Sequence, residues 1–110
     1  MRIAVASKGR ELSSKIEPRF GRSEYFVIHD TERNSVEVID NRATAQLPSG
    51  AGVAAAEAVV NKGVDYVISQ NFGPKALQVF KAAGVQAAVI SDVTVAEAIE
   101  LAKRRQLNLI

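Results

Sequence analysis

The sequence contains no cysteine, and it has only one histidine and one methionine. The absence of thiols excludes disulfides, cysteine nucleophiles, zinc–thiolate sites and cysteine-ligated iron–sulfur clusters. One imidazole and one thioether are too few to build a conventional transition-metal site from protein ligands. Any bound metal species must therefore be held by hydrogen bonds, backbone groups and charge, and we expect no metal-ligating residue.

A strong charge of one sign and long apolar runs are also lacking. The formal net charge is only +2, so nothing in the charge balance requires nucleic acid as a partner. No apolar run approaches the ~20 residues of a membrane span, and we expect no membrane partner. With 47% hydrophobic and 24% charged residues, the composition predicts a cytoplasmic globular protein with one domain over residues 1–110.

Five short runs rich in β-forming residues predict five strands. They lie at residues 2–7, 24–30, 36–40, 64–69 and 85–90. The first two are apolar on both faces, as central strands are, whereas the third alternates as a strand nearer an edge does. The short polar turn between the second and third strands predicts an antiparallel hairpin.

Three helical patterns follow the hairpin. The first covers 53–62, the second runs from Pro74 to Gly84, and the third begins at a capping-box pattern at Thr94. The element order βββαβαβα, with right-handed crossovers, predicts an α/β fold with a five-stranded mixed sheet in the order 3-2-1-4-5. This is a ribonuclease-H-like arrangement of three layers, with three helices around one sheet.

Ligands in such sheets bind outside the carboxyl ends of the parallel strands. Those ends lie here at 7–8, 69–73 and 91–92. The stretch 47–52 is small and uncharged, and a glycine turn that opens a helix exposes free N–H groups, which makes it a candidate anion cradle. The alternative is that glycine and proline only start helices here and that nearby cations only solvate loops.

Catalytic and nucleotide motifs are missing. There is neither a G-x-x-x-x-G-K-[ST] phosphate loop nor a G-x-G-x-x-G fingerprint. A carboxylate nuclease centre needs an acidic residue in the first strand, where Ala4 and Ala6 stand. The sole histidine, His29, has no nucleophile elbow nearby, so we interpret it as structural or partly exposed. We therefore predict that the protein is not an enzyme.

Five segments, taken in order, carry a family resemblance. They lie at residues 1–7, 18–26, 51–56, 63–68 and 72–77. Together they resemble the dinitrogenase iron–molybdenum cofactor biosynthesis family over essentially the whole chain. The resemblance implies a ribonuclease-H-like fold without the nuclease centre. Members of that family include carriers of iron–molybdenum cofactor precursors and the orange protein, which holds a molybdenum–copper sulfide cluster without cysteine ligands.

The resemblance implies a site made of three loops: phenylalanine-glycine-arginine, a glycine-rich turn, and a second turn before a helix. This chain has Arg19 where many relatives have histidine, and Pro48-Ser49-Gly50 where many have a histidine-glycine-glycine turn. Both departures remove possible metal ligands and favour electrostatic holding. The candidate site residues, with neighbouring cations and turn residues, are Lys8, Arg19, Phe20, Gly21, Arg22, Ser49, Gly50, Gly52, Asn71, Phe72, Gly73 and Pro74.

The sequence and the resemblance together predict a non-catalytic carrier for an anionic metal–sulfur cluster or an iron–molybdenum cofactor precursor. The bound group would be a molybdenum-containing or iron–sulfur-type inorganic cluster, held without covalent bonds. Expected protein partners are cofactor-assembly proteins or an ATPase, with the chain itself a monomer or a weak homodimer through an open third strand. Two alternatives stay open: a cluster-free regulatory or protein-interaction module, and an enzyme acting on a small anion.

Overall fold

Strand β1 (Arg2–Ser7) lies at the centre of the sheet in this computed structural model, which describes all 110 residues. It pairs antiparallel with β2 (Tyr25–Asp30) and parallel with β4 (Tyr66–Ser69). Strand β3 (Ser35–Asp40) flanks β2, and β5 (Gln86–Val89) flanks β4. The order β3-β2-β1-β4-β5 confirms the predicted mixed sheet.

Burial explains the composition of the central strand. The side chains of Ile3, Ala4, Val5 and Ala6 have no exposed surface, because helices cover both faces of the sheet. Strand β3 pairs on one side only, and most of its residues are exposed. It therefore has the edge position that its alternating sequence predicts.

Four helices and one 3₁₀ turn lie between and after the strands. They are α1 (Arg42–Ala45), α2 (Ala51–Val60), α3 (Pro74–Ala83), α4 (Val95–Lys103) and the 3₁₀ turn Phe20–Arg22. The three predicted helices are present, and α1 is an addition that was not predicted. Its four residues are too few to show a hydrophobic period. None of the helices has the length and apolar composition needed to cross a bilayer.

The boundaries of the long helices follow from local backbone chemistry. Helix α2 begins two residues earlier than predicted, directly after Gly50, whose φ of +77° is a left-handed conformation open to glycine. Gly84 ends α3 in the same way, with φ +74°. The predicted capping box of α4 is present, because Thr94 and Glu97 each accept the other's backbone N–H.

Two apolar layers hold the helices on the sheet. On one face, α2 and α3 pack over a group of aromatic rings centred on Phe20, which lies 5.0 Å from Phe26 and 5.2 Å from Phe80 between ring centroids. On the opposite face, α4 packs through Val95 and Ile99 over the sheet. We call these the α2/α3 face and the α4 face.

The two edges of the sheet differ. Residues 107–110 run along the outer edge of β5, where the Val89 N–H donates to the Asn108 carbonyl at 3.1 Å and the Ile110 N–H donates to the Ala87 carbonyl at 2.9 Å. This short C-terminal tail therefore covers the edge of β5. The outer edge of β3 has no such cover and is open to pairing.

Candidate functional site

A cleft of about 300 Å³ opens beyond the carboxyl end of β4, on the α2/α3 face. We call it the arginine cleft. Its lining residues are Arg19, Phe20, Gly21, Arg22, Gly52, Asn71, Phe72 and Gly73. Each of these belongs to the candidate site expected from the sequence. The structure thus brings the 3₁₀ turn, the start of α2 and the loop before α3 together around one cavity.

The absence of a side chain at Gly21 allows the 3₁₀ turn to lie directly against the first turn of α2. A Cβ atom added at Gly21 would lie 2.9 Å from the Cα atom of Gly52 and 3.0 Å from its nitrogen. Both neighbours are backbone atoms, so no side-chain rotation could relieve the clash. Glycine at position 21 is therefore a packing requirement of the cleft.

The two helices that begin at the arginine cleft have no side-chain caps. Helix α2 starts after Gly50 and α3 after Gly73, and neither glycine has a side chain that could accept a hydrogen bond. By contrast, α4 begins on the other face of the sheet with a complete capping box. The first-turn N–H groups of α2 and α3 therefore lack side-chain acceptors at the positive ends of their helix dipoles.

The two arginines of the cleft differ in what they contact. The Nη1 atom of Arg22 donates to the carbonyl oxygens of Ala45 and Leu47, both at 2.8 Å. Arg19 is exposed and makes no side-chain hydrogen bond or ion pair. The lining contains no carboxylate, so the two guanidinium groups give it a formal charge of +2. Arg22 orders the segment before α2, whereas Arg19 keeps its N–H donors available.

The two phenylalanines also differ. Phe20 is only 1% exposed, and its ring packs 5.2 Å from that of Phe72. Phe72 is half-buried and lies between the core and the cavity. Both rings belong to the candidate site expected from the sequence. In the structure, Phe20 anchors the loop in the core, and Phe72 provides the apolar surface of the cleft.

Residues 1–105 match the protein family described as dinitrogenase iron-molybdenum cofactor. The chain belongs to this family. Protein MJ0580 of Methanocaldococcus jannaschii is 36% identical to it over 104 residues, which cover 92% of this chain and 84% of that protein. This match supports the family assignment over most of both chains.

Two solved structures are similar in fold and sequence to this member of the dinitrogenase iron-molybdenum cofactor family. The apo form of the orange protein from Desulfovibrio gigas has a TM-score of 0.94 and 34% identity, covering 99% of this chain and 92% of that one. The NifB-like protein TM1290 from Thermotoga has a TM-score of 0.86 and 40% identity, covering 98% and 91%. The fold described above is therefore the fold of this family.

Four residues of the expected site lie outside the lining of the arginine cleft in this family member. Ser49 and Gly50 are exposed and immediately precede α2, and Pro74 is the first residue of α3. These three set where the helices begin. Lys8 is exposed and lies in a different cavity, on the α4 face.

The cavity that contains Lys8 has a volume of about 410 Å³. We call it the lysine cleft. Its lining residues are Lys8, Lys15, Ile16, Pro18, Gln70, Ser91, Asp92 and Val93. The rule that ligands bind at the carboxyl ends of parallel strands indicates Lys8, Gln70, Ser91 and Asp92. Lys15 was missed, because it comes from the irregular segment 11–17 and carries no motif.

The single histidine lies at the opposite end of the sheet, where His29 pairs with Ile3 and Val36. It is 7% exposed, and neither ring nitrogen has a hydrogen-bond partner. Burial is the main cause that lowers the pKa of its imidazole, followed by the charge of Lys103. No three His, Cys, Asp or Glu side chains are grouped as metal ligands. A metal species in the arginine cleft would have to bring its own ligands.

Proposed function

We propose that this protein is a non-catalytic carrier of an anionic metal–sulfur cluster or an iron–molybdenum cofactor precursor, held without covalent bonds in the arginine cleft. The observation that carries the proposal is the composition of the lining: two guanidinium groups, two uncapped helix starts and no carboxylate. Membership of the dinitrogenase iron-molybdenum cofactor family supports a cofactor-related role.

The donors of the arginine cleft suit a cluster that carries its own soft ligands. Bridging sulfides satisfy the metals, so the protein needs to offer neither thiolate nor imidazole. Such a cluster is negatively charged, and exposed helix N-termini favour an anion by about 0.3–1 kcal/mol each. Hydrogen bonds from a guanidinium group to an anion add to this and are stronger than neutral ones. Together, these contributions favour a cluster that is bound with weak to moderate affinity and can be exchanged.

Each lining residue then has a distinct part in holding the anion. Arg19 supplies a mobile cation with free donors, and the backbone at Gly52 and Gly73 supplies N–H groups. Phe72 shields one side of the cargo from water, which strengthens the electrostatic attraction. The amide side chain of Asn71 adds a neutral donor at the rim.

The remaining candidate residues act indirectly. Ser49 and Gly50 place the start of α2, and Pro74 places the start of α3. Arg22 holds the segment before α2 in position and adds its charge to the cleft. Lys8 contributes positive potential from the neighbouring lysine cleft, an effect that salt screens over about 10 Å.

Loading of a cluster and one matched pair of variants test the proposal. Anaerobic incubation with tetrathiomolybdate and copper should give a visible absorption band that stays with the protein through gel filtration, and it should raise the melting temperature. Arg19→Gln should weaken retention roughly three- to tenfold, because one charged donor is lost. Arg33→Gln, at an exposed position in the β2–β3 turn with no side-chain partner, makes the same charge change and should load normally.

Two results would contradict the proposal. A wild-type protein that gains neither absorption nor thermal stability is not a carrier of this kind of cluster. Equal retention by Arg19→Gln and Arg33→Gln would mean that the cluster sits outside the arginine cleft.

A cluster-free regulatory or protein-interaction module is the second candidate, and the open edge of β3 favours it. Unpaired N–H and C=O groups along that edge can accept a strand from another protein or from a second copy of this chain. The proposed partners are cofactor-assembly proteins or an ATPase, and self-association would give a weak homodimer. Failure of cluster loading together with a stable dimer or complex in light scattering would favour this candidate.

A further inference from the structure

The lysine cleft lies where the chain divides between the two faces of the sheet. Strand β4 continues into α3 on the α2/α3 face, whereas β5 continues into α4 on the opposite face. The connection after β4, at Gln70, and the connection after β5, at Ser91, therefore diverge toward opposite faces, and a crevice opens between them. In open α/β sheets such a topological switch point, at the carboxyl ends of the strands, is the place where small ligands bind.

The charge of this cleft favours an anion. Two ammonium groups, from Lys8 and Lys15, face one carboxylate, that of Asp92, so the formal charge of the lining is +1. Lys15 is 3.9 Å from Asp92, whose side chain is 96% exposed, which makes this a weak surface pair. Lys8 has no ion pair. The lining thus keeps one formal positive charge for a ligand, although Lys8 also interacts with the nearby Glu17 carboxyl, which lies outside the lining.

Polar groups of the cleft are also left without partners inside the protein. The side chains of Gln70 and Ser91 make no hydrogen bond. The backbone N–H groups of Ser91, Asp92 and Val93 donate to no other residue, and Asp92 has φ +61°. Successive free N–H groups around a left-handed residue form concave anion-binding turns. These donors are not used to start α4, because Thr94 and Glu97 cap that helix.

The floor of the cleft is apolar. Ile16 is 3% exposed and belongs to the core of the α4 face, and Val93 packs against the same core. Pro18 adds a rigid apolar wall. A ligand here would therefore meet charge and N–H donors on one side and hydrocarbon on the other, in a cavity of ordinary ligand size.

We propose that the lysine cleft binds a small organic molecule in which one carboxylate or phosphate group is attached to a partly apolar body. The anionic group lies between Lys8 and Lys15 and accepts from the turn at Ser91–Val93. The apolar body lies over Ile16 and Pro18. This proposal is independent of cluster binding in the arginine cleft.

The two clefts are separate cavities that share a wall. The wall consists of the residue pairs Pro18–Arg19 and Gln70–Asn71. The first residue of each pair lines the lysine cleft, and the second lines the arginine cleft. Two backbone hydrogen bonds join these two segments of the chain. The Phe20 N–H donates to the Asn71 carbonyl at 3.1 Å, and the Gln70 N–H donates to the Glu17 carbonyl at 3.4 Å. A ligand in one cleft is therefore distinguishable from a ligand in the other by which amides it perturbs.

Titration of ¹⁵N-labelled protein with three probes tests the site. Ethyl phosphate and propionate share a two-carbon body and differ in the anionic group, and inorganic phosphate lacks the body. We expect saturable amide shifts at Gln70, Ser91 and Val93 with at least one of the two organic probes, and weaker binding of inorganic phosphate. The preferred organic probe identifies the anionic group.

Variants then connect the shifts to the lysines. In Lys8→Gln/Lys15→Gln we expect affinity for the preferred probe to fall roughly tenfold, since two charge contacts are lost. Lys81→Gln, at an exposed position in α3, changes one charge away from both clefts and should bind the probe normally. Three results would overturn the proposal: no saturable shift with any probe, shifts centred on Gly52 and Gly73, or unchanged affinity in the double variant.

Discussion

At the level of single residues, the glycines around the arginine cleft have different physical roles. Gly50 is needed for its left-handed φ of +77°. Gly21 has no such φ and is needed because Gly52 approaches it closely. Gly73 meets neither condition, since its φ is −76° and a Cβ atom there would contact nothing within 4 Å. Three glycines in similar loops therefore differ in how far they can be replaced.

Replacing Gly21 and Gly73 by alanine separates these roles. Gly21→Ala should lower the free energy of unfolding by about 1–3 kcal/mol, because the backbone of α2 must shift to admit the methyl group. Gly73→Ala should be close to neutral and serves as the matched control. Urea denaturation followed by circular dichroism measures both. Equal stabilities of the two variants would show that the contact between Gly21 and Gly52 relaxes without cost.

The membership of the candidate site was largely predictable at this level, but the contacts were not. The resemblance to the family placed the Phe-Gly-Arg loop and the two helix-starting turns in one site, and the structure brings those three loops together. The bonds from Arg22 to the carbonyls of Ala45 and Leu47 join residues 23 and 25 positions apart. No local pattern encodes such a contact, because it depends on how two irregular loops settle.

At the level of elements, the segment between β3 and α2 has little apolar burial of its own. Helix α1 has no buried residue, and the residues from Gln46 to Gly50 are exposed. Asn41, at the start of the segment, is buried and donates to the Ser23 carbonyl at 2.9 Å. The part from Ala45 to Leu47, by contrast, is held to the 3₁₀ turn by the guanidinium group of Arg22. Local stability depends on such attachments where hydrophobic contacts are few. The local stability of this segment should therefore depend on the side chain of Arg22.

Arg22→Gln should loosen this segment without unfolding the protein. We expect amide hydrogen exchange at Ala45, Gln46 and Leu47, whose N–H groups are hydrogen-bonded, to become roughly fivefold faster, which corresponds to about 1 kcal/mol of lost local stability. Global stability should change little, because the side chain is exposed. Arg19→Gln, which removes a charge but no hydrogen bond, is the control. Identical exchange in the two variants would mean that Arg22 does not hold the segment.

The long elements were predictable because their signals are local and strong. Apolar runs marked the strands, and Pro74, Gly84 and Thr94 marked helix ends through backbone chemistry that acts within a few residues. The order of the strands followed from the handedness of crossovers. Helix α1 was missed because Arg42–Ala45 forms only one turn, whose stability comes from its neighbours in the fold.

At the level of the whole molecule, the sheet carries one cleft on each face at the carboxyl ends of its parallel strands. A buried ionisable side chain lies at the opposite end of the sheet. The lysine cleft was harder to foresee than the arginine cleft, because its lining includes Lys15, which lies in a segment without a motif. His29 is the ionisable group, and it packs beneath α4. The charged groups around it are Lys103 and Glu100 of α4, the adjacent Asp30, and the terminal ammonium of Met1.

The buried imidazole makes global stability depend on pH. Its pKa is lowered in the folded protein, chiefly by burial and next by Lys103, whereas the unfolded chain takes up the proton near the ordinary value of about 6.5. The unfolded state therefore binds more protons just below that pH, and stability falls as the pH falls. The contribution of His29 is complete above about pH 6.5 and is lost progressively through its lowered folded pKa.

Comparison with His29→Leu isolates this effect. Burial raises the pKa of Glu17, so that carboxyl acts with the opposite sign over part of the same range, and only the difference between the two proteins is informative. We expect the wild type to lose stability relative to His29→Leu as the pH falls below about 6.5, with the two curves parallel well above that pH. Urea denaturation at each pH measures the difference. Parallel curves throughout would show that His29 is protonated as readily in the folded protein as in the unfolded chain, so that its buried, unpartnered ring carries no energetic cost of charging.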